Sequence, residues 1–118
     1  MEASPHSLPT EAVLLRIFTG ERARDQVHGK PLYETIVLRA REAGLAGATV
    51  LRGVMGYGHS SRLHTAKILR LSDDLPLVIE IVDSPERIGA FLPLLDEIMK
   101  NGLVTMENVQ VFRYGLPK

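Results

Sequence analysis

Two glycines flank a tyrosine at Gly56-Tyr57-Gly58, directly after an apolar, β-prone run from Thr49 to Val54. Bare backbone N–H groups at such a point can meet phosphate oxygens and let a ligand approach the chain closely, and a tight turn with no ligand uses the same residues. The pattern lacks the strand–GxGxxG–helix context of a dinucleotide fold and the Lys-Ser/Thr of a P-loop. His59 and Ser60 follow, and then the basic residues Arg62, Lys67 and Arg70 with His64 among them. Together they could steer an anion, although any one of them alone reads as a solvated loop residue. His59 and His64 are five apart, which does not set both on one helix face, and no nearby carboxylate completes a ligand set, so no metal is expected.

Catalytic chemistry finds little support. The chain has no cysteine, which excludes disulfides, thiolate nucleophiles and Cys-ligated metals, and no G-x-S-x-G elbow is present. Asp73, Asp74 and Asp83 flank one strand-like run, where carboxylates cap turns more often than they form acid/base pairs. Glu80, inside that apolar run, needs a partner, and an Arg or Lys across the sheet is expected. No catalytic residue is assigned.

The elements that must position these residues follow from periodicity. Met1 to Glu11 carries two prolines and no apolar period, and reads as a disordered leader before a single domain over 12–118. Ala12 to Thr19 reads as a strand closed by Gly20, and Glu21 to Gly29 as a polar loop; His6 and His28 fall in segments read as flexible. Pro31 opens a helix carrying Leu32, Ile36, Val37, Ala40 and Ala43 at helical spacing, with Gly44 as terminator. Thr49 to Val54 is a strand in which Gly53 marks a bulge or a close backbone approach. A long loop then runs from Met55 to Leu75. Leu77 to Val82 is a strongly apolar strand headed by Pro76, and Asp83 or Ser84 caps a helix opened by Pro85. Ile88, Phe91, Leu92, Leu95 and Met99 form its apolar stripe, Pro93 predicts a kink, and Asn101-Gly102 ends it. Asn108 to Tyr114 alternates as the last strand.

Strand, helix, strand, strand, helix, strand predicts an α+β, ferredoxin-like βαββαβ domain: a four-stranded antiparallel sheet with two helices on one face. The uncovered face should then be polar. Instead, Leu14, Phe18, Val78, Val82 and Phe112 share the parity opposite to Leu15, Ile17, Ile79 and Ile81. A homo-oligomer with sheets turned inward accounts for this patch; partial coverage by the long loop or the leader is the alternative. With 14 Lys+Arg against 14 Asp+Glu, the formal charge is zero, which argues against a nucleic-acid or anionic-membrane coat. No stretch suits a bilayer span and no signal peptide is evident, so a cytoplasmic location is expected.

Gly47-Ala48-Thr49-Val50 followed by Gly56-Tyr57-Gly58 resembles the nitrogen regulatory PII proteins. The runs PLYETIVLRAREAGLAGATVLRGVMGYG, LPLVIEIVD and GLVT are similar to an uncharacterised prokaryotic PII-like family, a domain of unknown function, over about Ala12 to Tyr114. That resemblance implies a homotrimer holding an adenine nucleotide in the clefts between subunits and signalling through residues 56–75 to an unknown protein target. Carried over by position, Gly56 and Gly58 match the base of the PII effector loop. Asn101, Gly102, Leu103, Val104 and Thr105 fall where PII proteins place a second nucleotide loop, and Arg113 resembles a basic position that reaches a neighbour's phosphates. His59 and Ser60 stand where PII has arginine and glutamine, and Gly102-Leu103-Val104-Thr105 lacks the Gly-Asp-Gly-Lys character of the PII loop. The missing cation implies a weaker triphosphate grip, favouring AMP or ADP over ATP. Beyond Tyr57 the loop has no tyrosine, so control by tyrosine nucleotidylation is unsupported. The competing reading is a small ferredoxin-like enzyme or a divalent-metal-binding trimer, which requires a convergent ligand cluster.

Overall fold

The computed structural model describes residues 10–57 and 74–115. The chain order is β1 (Glu11–Gly20), α1 (Leu32–Glu42), β2 (Thr49–Arg52), β3 (Pro76–Asp83), α2 (Pro85–Ile98) and β4 (Leu103–Gln110). The strands form one sheet in the order β2-β3-β1-β4, and every neighbouring pair is antiparallel. This is the expected ferredoxin-like arrangement.

Strict alternation builds the core. Leu15 and Ile17 of β1 and Ile79 and Ile81 of β3 are fully buried against Leu32, Ile36 and Ala40 of α1 and Ile88, Phe91, Leu95 and Ile98 of α2. Each large side chain so buried contributes about 1.5–3 kcal/mol, which makes the β1–β3 pair under two helices the rigid centre of the domain.

The helix ends are fixed by local chemistry. Pro31 stands at the N-cap of α1, one position before the first helical residue, and its carbonyl accepts from Thr35. At the other end Gly44 (φ +77°) donates to the Arg41 carbonyl and Leu45 to the Ala40 carbonyl, a complete Schellman motif. Ser84, rather than Asp83, caps α2, its hydroxyl accepting from Arg87 N at 3.2 Å. Asp83 is buried and accepts from the backbone N–H groups of Ser84 (2.7 Å) and Ala46 (2.9 Å), tying the α1–β2 corner to the end of β3. The helix α2 is continuous through Pro93. The carbonyl that loses its donor belongs to Gly89, which is exposed, so the loss costs little there.

Several boundaries differ from the sequence reading. β2 ends at Arg52: Gly53 N–H still bonds the Pro76 carbonyl at 2.7 Å, but Pro76 has no N–H to return the bond, and a Cβ on Gly53 would lie 2.8 Å from Pro76 Cγ. This is the close approach its glycine suggested. β1 begins at Glu11, one residue before Ala12, and the Thr10 carbonyl accepts from Val111 N–H. Residues 1–9 lie outside the described part. The last strand is the main correction: it spans Leu103–Gln110, not Asn108 to Tyr114. Its extent follows the preceding turn and its partner: the register starts at Phe18↔Leu103, just after Gly102, and ends at Glu11↔Gln110, where β1 begins.

On the uncovered face Leu14, Phe18, Val78 and Val82 are half-buried, on the side expected. Phe112 is not part of it; it follows β4 and is fully exposed. At the centre of this face Arg16 Nε donates to Glu80 Oε2 at 3.0 Å, the cross-strand partner Glu80 required, and Arg16 Nη1 lies 3.4 Å from Glu107 Oε1. Among the described residues no helix is long and apolar enough to cross a membrane.

Candidate functional site

The antiparallel sheet gathers three connections at one end: the β1–α1 segment, the base of the long loop after β2 and before β3, and the α2–β4 turn. Between them lies a cleft of about 780 Å³. Arg22 and Arg24 come from the first connection, Tyr57 and Asp74 from the second, and Lys100 to Leu103 from the third. Phe18, opposite both Val78 and Leu103 in the sheet, lines it from below, so the cleft is continuous with the open sheet face.

A buried carboxylate holds two of these walls. Asp25, only 3% exposed, accepts through Oδ1 from the backbone N–H groups of Val27 (3.0 Å), His28 and Gly29 (3.2 Å), and through Oδ2 from the Thr35 hydroxyl at 2.7 Å. The His28 N–H and the Thr35 hydroxyl are the chief reasons its pKa is lowered to about 2. The turn so closed places Gln26 against α2, its N–H bonding the Ile98 carbonyl at 2.9 Å and its Nε2 the Met99 carbonyl at 3.1 Å. What read as a flexible polar loop is therefore a closed turn. His28 belongs to that turn rather than to a flexible segment, because its backbone N–H is one of the donors that close it.

The loop base is tied to the same turn. Asp74 Oδ1 accepts from Arg22 N at 3.0 Å, Glu21 N–H bonds the Leu75 carbonyl at 2.8 Å, and Arg52 pairs with Glu21. Asp74 has φ +37°, and a Cβ on Gly20 would fall 2.5 Å from Asp74 Oδ1, so the carboxylate occupies the space glycine leaves. Gly102, at φ +133°, turns the chain where a Cβ would meet Met99 Cε at 2.6 Å and the Phe18 carbonyl at 3.0 Å.

The structure brings together some of the residues singled out by sequence and not others. Asn101, Gly102 and Leu103 line the cleft beside Tyr57. Gly56 packs at the loop base, where a Cβ would lie 3.1 Å from Pro76 Cγ. Gly58, His59, Ser60, Arg62, Lys67 and Arg70 fall outside the described residues. Val104 and Thr105 belong to β4, paired with Ile17 and Arg16, and are not part of a loop. Arg113 lies beyond β4, not on it, and at the opposite end of the sheet. The Tyr114 hydroxyl there bonds the Ala46 carbonyl at 3.3 Å, in the corner held by Asp83. Eight strand residues separate the two ends by about 25 Å, so Arg113 cannot serve its own chain's cleft.

Arg22, Arg24 and Lys100 were not singled out by sequence. Their only signal was position beside turn residues, which solvated cations share. A second hollow, about 370 Å³, lies between α1 and α2. Its arginines are engaged within the fold: Arg39 pairs with Glu42, and Arg87 bonds the Gly44 carbonyl at 3.0 Å. Among the described residues no group of three or more His, Asp or Glu is placed to hold a metal ion.

Comparison with known proteins places this geometry. A family model, DUF190, described as an uncharacterized ACR, matches residues 12–111. A UPF0166 protein of Aquifex aeolicus is 45% identical over 100 residues, covering 83% of this chain and 90% of its own. Another, from Methanocaldococcus jannaschii, is 36% identical over 104 residues, covering 87% and 94%. Among solved structures, a protein of Thermus thermophilus described as PII-like and signaling superposes with TM-score 0.61 at 20% identity, covering 86% of this chain and 90% of that one. CPII of Thiomonas intermedia, bound to ADP and bicarbonate, gives TM-score 0.57 at 21% identity, covering 87% and 90%. The same protein bound to ADP, AMP and acetate gives 0.53 at 20% identity, with the same coverage. The ferredoxin-like arrangement of two helices on a four-stranded antiparallel sheet is thus that of a PII-like fold, and the chain belongs to the uncharacterised DUF190 family.

Proposed function

We propose that this protein is a PII-like regulator, a binding protein rather than an enzyme, that takes an adenine nucleotide in the end-of-sheet cleft. The observation that carries the reading is the cleft itself: apolar side chains of Phe18 and Leu103, the aromatic Tyr57, and cations from two turns face one space of nucleotide size. The ADP- and AMP-bound states of the similarly folded CPII support the ligand class.

The open sheet face and the cleft adjoin, and that continuity favours a homotrimer. A neighbour seated on Leu14, Phe18, Val78 and Val82 would cover the apolar patch and form one side of the cleft. It would also bring its own far-end Arg113 within range of another subunit's site, the role the PII resemblance gives that residue. Light scattering tests the assembly: a trimer is expected, and a monodisperse monomer at micromolar concentration would remove both the covered face and the contribution of Arg113.

Regulation requires that the ligand bind two states of residues 56–75 with different affinity, since equal affinity shifts nothing. Those residues would then engage a protein target in the cytoplasm. Titration calorimetry with AMP, ADP, ATP and cyclic AMP is the direct test. Heat with AMP or ADP, and weaker binding of ATP, is the expected result. Silence with all four at high micromolar concentration would leave only the fold, which does not establish function.

A further inference from the structure

Asp74 is out of place in a cleft meant for phosphate. It lines the same space as Arg22, Arg24 and Lys100, yet carries the opposite charge. Its position is built in. The backbone N–H of Arg22 donates to Oδ1 at 3.0 Å, the missing side chain of Gly20 makes room for the carboxylate, and the residue holds φ +37°. Of the cations, Arg22 is rooted through that same backbone bond and Arg24 through its bridge to Pro31. Lys100 follows the α2 end that Gln26 clasps through the Met99 carbonyl.

Resting on the nucleotide reading above, we propose that Arg24 and Lys100 hold the phosphate end of the ligand and that Asp74, facing the same space, limits how much phosphate charge the cleft accepts. A monophosphate meets these two cations with its charge concentrated near them. A triphosphate brings further negative charge toward a fixed carboxylate, and like charges at short range in a partly desolvated cleft repel strongly. Lys100 also supplies, one residue before the Asn101-Gly102 turn, a cation that Gly102-Leu103-Val104-Thr105 does not contain. Preference for AMP over ATP thus arises from a carboxylate present, in addition to a cation absent.

Calorimetric titration of AMP and ATP into the wild-type protein, Asp74→Asn and Lys100→Ala tests this. Asparagine keeps an oxygen acceptor for Arg22 N–H while removing the charge, and Asp74→Ser serves as a second neutral variant should the first lose its fold in a thermal melt. For Asp74→Asn the ATP affinity should rise about tenfold relative to AMP, the scale of one unit of differential charge interaction. For Lys100→Ala both nucleotides should weaken by about tenfold or more, the loss of a charge-assisted hydrogen bond. If the wild type binds neither nucleotide, the nucleotide reading fails and this one with it. If it binds both but the ATP-to-AMP ratio is unchanged in the neutral variants, or ATP is already the tighter ligand, the Asp74 limit is overturned while nucleotide binding stands. Unchanged affinities in Lys100→Ala would overturn the assignment of the phosphate end.

Discussion

Asp25 and Asp74 organise turns at the same end of the sheet and differ in what their oxygens face. Asp25 is buried, with both oxygens engaged inside the fold by three backbone N–H groups and one hydroxyl. Asp74 is half-buried, accepts from one backbone N–H, and lies along the cleft at a left-handed φ. A carboxylate satisfied on all sides is architecture; one left beside a cluster of cations in an open cleft has charge available to a ligand. Residue type does not separate the two, and surroundings do.

The sharpest way to break that comparison is to remove each carboxylate. Asp25→Ala strips the acceptor from three turn N–H groups and the Thr35 hydroxyl and releases the Gln26 clasp on α2, so among substitutions at Asp25, Asp74 and Gly102 it should give the largest fall in melting temperature. A fall no larger than that of Asp74→Ala would end the distinction.

Acid sharpens it further. The folded-state pKa of Asp25, about 2, lies below its ordinary 3.8, so its stabilising contribution is complete above the ordinary value and is lost as pH falls through about 2. Denaturant midpoints measured across that window should decline more steeply for the wild type than for Asp25→Asn. Equal slopes would mean the carboxylate is not held as the structure has it.

Gly102→Ala comes next in size. A Cβ there meets both Met99 and the Phe18 carbonyl at a φ that side chains rarely adopt, and the cost should be about 1–3 kcal/mol by denaturant unfolding. At the small end, Asp74→Asn should leave stability within about 0.5 kcal/mol of the wild type, since it keeps its acceptor oxygen. Its effect belongs to ligand choice.

How much of this was legible in the sequence depended on burial. β1, β3 and the two helices announced themselves because Leu15, Ile17, Ile79 and Ile81 alternate strictly and Ile88, Phe91 and Leu95 recur at helical spacing, as a helix-covered sheet demands. The last strand did not. Apart from half-buried Val109, β4 is exposed along its length, so burial imposes no pattern on it, and its Gln110 end is set by where β1 begins. The alternation of Asn108 to Tyr114 was therefore a poor guide, and Arg113 moved off the strand with it.

The cleft was legible in its glycines and, through the PII resemblance, in Asn101 and Leu103. Gly102 marked backbone that a side chain would strain, Gly56 a position where a Cβ would sit tightly on Pro76, and both border the cleft end of the sheet. The charged residues around them were silent. Arg22 and Lys100 are far apart in sequence, and only the antiparallel return of β4 alongside β1 brings their turns together. Asp25 gave no signal either, since an aspartate in a polar stretch reads the same whether it closes a turn or faces water.

If the cleft between the Gly20–Arg24 turn and the Lys100–Leu103 turn is the effector site, a crystal structure of the protein with AMP tests it most directly. The phosphate is expected beside Lys100 and Arg24, with the ring against Phe18 and Leu103. AMP seated instead in the hollow between α1 and α2, near Arg39 and Arg87, would contradict that assignment.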